Sequence, residues 1–148
     1  NWYTKGDIDD VVTLDLKAFA FRNNDAATRA DALLDRGFLN IVNSASARLQ
    51  DRLAISSEEA RAQVMTIAHD VGLKEVEDVS VLLDFMTDDW SEVLDSIRKR
   101  GENVSDEYEQ YLKILYRDLR EDLSKFTIVL DATKSVDENI EDLLRELQ

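Results

Sequence analysis

The chain has 148 residues, with 32 acidic and 18 basic side chains for a formal charge of −14, one histidine, no cysteine and no proline. Without a thiol it can form no disulfide, thiolate zinc site, iron–sulfur cluster or cysteine nucleophile, and it has no uninterrupted apolar run of the ~18 residues a membrane span needs. Its acidity argues against direct binding to nucleic acid or anionic lipid, and a 44% hydrophobic content at helical spacing argues against disorder.

Trp2 and Tyr3 precede any secure helix and are expected to pack back on the bundle or to anchor a linker. Residues 7–23 then read as a helix with Ile8, Val11, Val12, Leu16 and Phe19 along one side. Val12, Leu14 and Leu16 also alternate as in a strand, but no partner strand is evident downstream, so helix is the favoured reading. Asp25 is placed to cap a helix through Ala26, Ala30, Leu33 and Leu34 toward Gly37, and a further pattern runs through Leu39, Val42, Leu49 and Leu53. Ser56 and Glu59 form a capping-box pattern ahead of Ala60, Val64, Ile67, Ala68 and Val71, with Gly72 as stop and Leu73 as the apolar residue that closes such an end. Gly37, Gly72 and Gly101 each follow an apolar segment, where a left-handed C-cap belongs.

Residues 75–95, EVEDVSVLLDFMTDDWSEVLD, hold eight carboxylates and no Lys, Arg or His. The spacing predicts two helices. The first covers roughly residues 74–86 and buries Val76, Val79, Leu82, Leu83 and Met86. The second is capped by Thr87 or Asp88, buries Trp90, Val93, Leu94 and Ile97, and stops at Gly101. Ser105 is placed to cap a long helix near residues 106–131 carrying Tyr108, Tyr111, Leu112, Leu115, Leu119, Leu123 and Phe126, with the β-branched Thr127, Ile128 and Val129 as a weak point. A second capping box, Ser135 with Glu138, opens a last short helix with Ile140, Leu143, Leu144 and Leu147, which needs a surface to lie on. The expected fold is all-α, an irregular bundle of six or seven helices with one long helix near residues 106–131. It forms a single helical domain over residues 1–148, either complete or cut from a longer protein, with a cytoplasmic location expected.

No constellation in the sequence nominates a catalytic, cofactor-binding or metal-binding residue. A dimetal helical site needs Glu-x-x-His pairs. The single histidine, His69, has Thr66 three positions before it and reads as a structural residue at the core edge. The ligand spacing and glycine of an EF-hand are missing, as are a Gly-x-Ser-x-Gly elbow and a phosphate-binding glycine loop. Trp90 falls on the apolar side of its helix. Tyr108 and Tyr111 suit either edge packing or partner contact.

The charge is distributed unevenly. Residues 1–74 hold 11 acidic and 9 basic residues, a net of −2, and residues 75–148 hold 21 and 9, a net of −12. Asp88, Glu92 and Asp95 fall on one ridge at i, i+4 and i+7. These features make a non-enzymatic, acidic protein-binding domain (an adaptor, immunity protein or inhibitor) the expected function. Asp84, Asp88, Glu92, Asp95, Tyr108 and Tyr111 would meet a basic protein partner, and no cofactor is expected. The alternatives are an inhibitor that imitates nucleic acid and a small helical enzyme or ligand-binding domain.

Overall fold

A computed structural model describes residues 5–26, 29, 34, 36–75 and 79–148. The helices expected from the sequence dominate it. Six α-helices are present among the described residues, in an irregular all-α arrangement, accompanied by one pair of short strands. The chain divides into two compact units, Asn1–Glu77 and Asp78–Gln148. Trp2, Tyr3, Ala30, Leu33, Val76, Glu77 and Asp78 lie outside the described residues.

The first unit is built from α1 (Lys5–Ala26), α2 (Phe38–Leu53) and α3 (Ser57–Asp70). Ile8, Val12, Leu16 and Ala20 recur every fourth residue and are buried in α1, so helix prevails over strand there. Val11, one position off that line, is exposed, and Phe19 is only partly buried. These residues share a core with Phe38, Ile41, Val42, Ala45 and Leu49 of α2 and with Ala60, Val64 and Ala68 of α3. Asp25 does not start a new helix. It lies in the last turn of α1, where it pairs with Arg29 at 3.1 Å. Gly37 is also not a left-handed cap. It stands before α2 with φ −72°, and its carbonyl accepts from Ile41 N–H at 3.0 Å, while the left-handed conformation falls on Arg36 at φ +64°. Ser56 caps α3 as expected, its hydroxyl accepting from Glu59 N–H. At the other end Gly72 takes φ +75° and the buried Leu73 donates to Ala68 O at 2.9 Å. Asn24 fixes that turn, donating to Gly72 O at 2.6 Å and accepting from Lys74 N–H at 3.1 Å.

The second unit runs β1 (Val81–Asp84), α4 (Trp90–Lys99), α5 (Glu107–Glu121), a 3-10 turn at Leu123–Lys125, β2 (Ile128–Asp131) and α6 (Val136–Glu146). This order corrects two expectations. No helix spans residues 74–86, because residues 81–84 form a strand. The helix expected near residues 106–131 ends at Glu121, and residues 128–131 are the other strand. The strands pair in parallel, Val81 opposite Ile128 through Asp84 opposite Asp131. A parallel pair needs a long crossover, and here α4 and α5 supply it, so the partner of β1 lies far away in sequence. Leu82, Asp84, Ile128 and Leu130 are buried, whereas Val81, Leu83 and Val129 on the alternate positions are exposed. Because both faces are largely apolar, the alternation is invisible in the sequence. Beyond α5 and the 3-10 turn the β-branched run from Thr127 coincides with the change to extended backbone, and Phe126 already has ψ 130°.

The helix from Trp90 matches its expectation closely. Trp90, Val93, Leu94 and Ile97 are buried with Leu112 of α5. Its N-cap is Asp89, which accepts from Glu92 N–H at 3.2 Å, rather than Thr87 or Asp88; Thr87 accepts from Asp89 N–H. Gly101 follows at φ +88°. Ser105 makes no cap of its own, since Asp106 precedes α5 without a side-chain cap bond. The final capping box, Ser135 with Glu138, forms in both directions.

The strand register makes a specific demand on stability. Leu82 is 5% exposed and Leu83 50% exposed. Leu82→Ala is expected to cost about 2–5 kcal/mol and Leu83→Ala under about 1 kcal/mol, as measured by urea denaturation. A helix through residues 74–86 would make both substitutions costly, so equal losses would refute the strand.

Candidate functional site

A densely bonded side chain of the second unit is Arg120, near the end of α5. Its Nη2 and Nε donate to the two carboxylate oxygens of Asp84 at 2.8 and 3.1 Å, Nη1 donates to Asp88 Oδ1 at 2.7 Å, and Nη2 also reaches Thr87 O at 3.0 Å. One guanidinium therefore holds the end of β1 and the loop leading to α4. Met86 in that loop takes φ +59°, a left-handed conformation unfavourable for a side chain of its size. Its N–H is held by Asp84 Oδ1 at 3.0 Å.

Aromatic rings close over the clamp. The guanidinium carbon lies 5.5 Å from the Trp90 ring centroid and 5.9 Å from that of Tyr116, within cation–π range. Phe85 meets Trp90 edge-on at 6.3 Å and Tyr116 at 5.2 Å, and the Tyr116 hydroxyl donates to Leu83 O at 3.2 Å. Burial alone would push the Asp84 carboxyl up. The Arg120 hydrogen bonds, the Met86 N–H and the Arg120 charge together outweigh it and hold Asp84 below the usual carboxylate range. The same pair raises Arg120 further. Burial, reinforced by the Asp84 charge, pushes the Tyr116 phenol up to about 12.

A shallow hollow beside the clamp is lined by Asp88, Trp90, Lys113, Arg117, Arg120 and Glu121. It gathers three cations, but each is held by a carboxylate: Arg120 by Asp84 and Asp88, Arg117 by the buried Asp118 at 3.0 Å, and Lys113 by Glu109 at 3.1 Å. Its charges are engaged within the fold. At the strand ends Asp84 stands in register with Asp131. Asp84 is taken up by Arg120, and Asp131 accepts from Thr133 N–H at 2.8 Å and from its hydroxyl. Among the described residues no group of three or more His, Asp or Glu side chains is arranged to hold a metal ion.

The residues singled out from the sequence do not come together on one surface. Asp84 is 6% exposed and faces inward, so it cannot belong to an acidic outer surface. Asp88 is exposed but drawn onto Arg120, ahead of α4 rather than on it. Glu92 and Asp95 remain exposed on the solvent side of α4, Asp95 lying 3.4 Å from Arg98. Tyr108 and Tyr111 stack at 5.2 Å, with Tyr108 exposed and Tyr111 packed against the α4–α5 core. His69 corrects its expectation: its side chain is 92% exposed, 3.8 Å from Asp70, because it sits one residue beyond Ala68 and so a quarter turn or more off the buried line. The Arg120 clamp was not anticipated. The signal for it was an aspartate at the end of an apolar run, a poor place for an unpaired charge.

The clamp makes stability dependent on acid in a definite direction. Asp84 has a folded-state pKa below its unfolded value, so its contribution is complete above about pH 4 and is lost as pH falls through the folded value. Arg120→Leu is expected to lower stability by about 3 kcal/mol by leaving Asp84 buried without its cation, and Asp84→Leu with Arg120→Leu is expected to recover much of that loss. Thermal unfolding from pH 7 to pH 3 checks both points. The difference between wild type and Asp84→Asn should shrink below about pH 4, and a constant difference would refute the assignment.

No protein-family model, no curated protein and no solved structure matches the chain, so what it does has to be inferred from its own side chains.

Proposed function

We propose that this protein is a non-enzymatic, acidic protein-binding module of adaptor, immunity or inhibitor type that engages a basic partner protein. The observation that carries this reading is the way the second unit spends its cations. Residues 78–148 hold 19 acidic and 9 basic residues, a net of −10, against 13 and 9, a net of −4, for residues 1–77. Arg98, Arg100, Lys113, Arg117, Arg120, Lys125, Lys134 and Arg145 each lie within ion-pair distance of a carboxylate of the same unit. Among the described residues, Glu92, Glu107, Glu121, Asp137, Glu141 and Glu146 are exposed and belong to no ion pair. Such an excess projects a negative field that raises the encounter rate with a positively charged protein.

The neighbours of these carboxylates favour a protein partner over imitation of nucleic acid. A phosphate mimic needs carboxylates along a polar path. On α6 they flank exposed Ile140 and Leu144, an apolar contact suited to a protein surface.

Replacing Glu92 with Gln and Asp95 with Asn removes exposed charge without touching the buried face of α4. The double variant is expected to keep its circular dichroism spectrum and to associate several-fold more slowly with a basic partner isolated from the native host, with a shallower salt dependence. Stopped-flow kinetics at several salt concentrations measure this. Association equal to wild type at every salt concentration would overturn electrostatic steering by this face.

A further inference from the structure

We infer that α6 is the docking element for a basic amphipathic helix of the partner, which lies along the apolar stripe of Val136, Ile140, Leu143, Leu144 and Leu147. This inference rests on the protein-binding reading and gives that reading an anchoring site. The helix is strongly amphipathic in sequence yet has no buried residue. Val136 is 74% exposed, Ile140 49%, and Leu144 and Leu147 55% each, with Leu143 half-buried. Their spacing of i, i+4, i+7, i+8 and i+11 draws one continuous stripe about 16 Å long. A stripe this narrow suits another helix better than a flat surface.

Charge selects the occupant. On a helical projection Asp137 and Glu141 border the stripe on one side and Glu146 borders it on the other. The cations of this segment are on the far side, where Lys134 and Arg145 both bind Asp142, at 2.7 and 2.9 Å. The rim is therefore acidic along the Asp137–Glu141 side and, on the other side, at its Glu146 end beyond the neutral Asn139. A second copy of α6 would set carboxylate against carboxylate, as mismatched flanking charges do in helix pairs. A helix with Lys or Arg beside its own apolar stripe satisfies both features at once. The capping box fixes the first turn of α6, and the helix packs against β2 with Leu143 half-buried while Val136, Ile140, Leu144 and Leu147 stay exposed.

The test uses the full chain and three synthetic helical peptides. One has leucines at i, i+3, i+4 and i+7 on a lysine background, one has the same leucines on a glutamate background, and one has the lysines with serines replacing the leucines. Titration calorimetry is expected to show binding of the leucine–lysine peptide at least tenfold tighter than of either control. Ile140→Asp with Leu144→Asp adds negative charge yet is expected to weaken that binding at least tenfold, because both side chains are exposed and serve contact rather than folding; an unchanged circular dichroism spectrum verifies the fold. Equal binding by this variant overturns the docking site. If Glu92→Gln with Asp95→Asn still slows association with the native partner in that case, the protein-binding reading survives, and if it does not, both fall. Equal binding of the glutamate peptide, or concentration-dependent dimerisation in sedimentation that Ile140→Asp with Leu144→Asp abolishes, likewise overturns a basic helix as the occupant.

Discussion

The second unit depends on one ion pair. A two-stranded sheet is marginal in water, and here its first strand ends in an aspartate whose side chain is buried. A buried carboxylate without a partner costs several kcal/mol. Arg120 removes that cost with two parallel hydrogen bonds, the geometry for which a guanidinium is suited and a lysine is not. The same group binds Thr87 O and Asp88, so the strand, the loop and the start of α4 are fixed to α5 through one side chain. The left-handed Met86 is tolerable because Asp84, held by Arg120, in turn holds the Met86 N–H. Trp90 and Tyr116 shield the pair from water, which strengthens it.

That clamp also changes how the acidity of the chain should be read. Counted along the sequence, Asp84 and Asp88 belong to the dense run of carboxylates that gives the second half its charge. In the fold they neutralise a cation. The outward charge is then carried by residues such as Glu92 on α4 and Asp137, Glu141 and Glu146 on α6, which form no ion pair among the described residues. Net charge survives this pairing, because every paired cation cancels at most its own share. The location of the field changes, and it comes to border the exposed apolar side chains of α6.

Much of the helical content was legible because it follows local rules. Ile8, Val12, Leu16 and Ala20 in α1, the Trp90–Ile97 face of α4 and the Ser135–Glu138 box of α6 are each set by spacing or by a cap within a few residues. The strands were not legible because their cause is not local. Leu82 and Leu83 are equally apolar, yet only one is buried, and what separates them is pairing with β2 across two intervening helices. Apolar runs this short are ambiguous between helix and strand. The long helix failed for the same reason, since the apolar positions beyond Glu121 continue the helical spacing while Thr127 and Ile128 are recruited by Ser80 O at 2.9 and 3.2 Å. His69 shows a finer limit: a position between Ala68 and Val71 reads as core edge, but one residue is 100° of helix, enough to turn a side chain outward.

The acid and the apolar stripe of α6 make sense together. An exposed row of Ile and Leu is an aggregation hazard when its surroundings are neutral. A rim of like charge discourages the row from meeting its own copies, because self-association would bring unpaired carboxylates together as water is excluded, where their repulsion grows. The same rim leaves the row open to a surface of opposite charge. The internal pairing of Lys134 and Arg145 on Asp142 would sharpen the proposed selection by keeping cations off the rim. In the proposed docking, specificity would come from charge, and the apolar stripe would supply the lasting contact once the correct charge has been met.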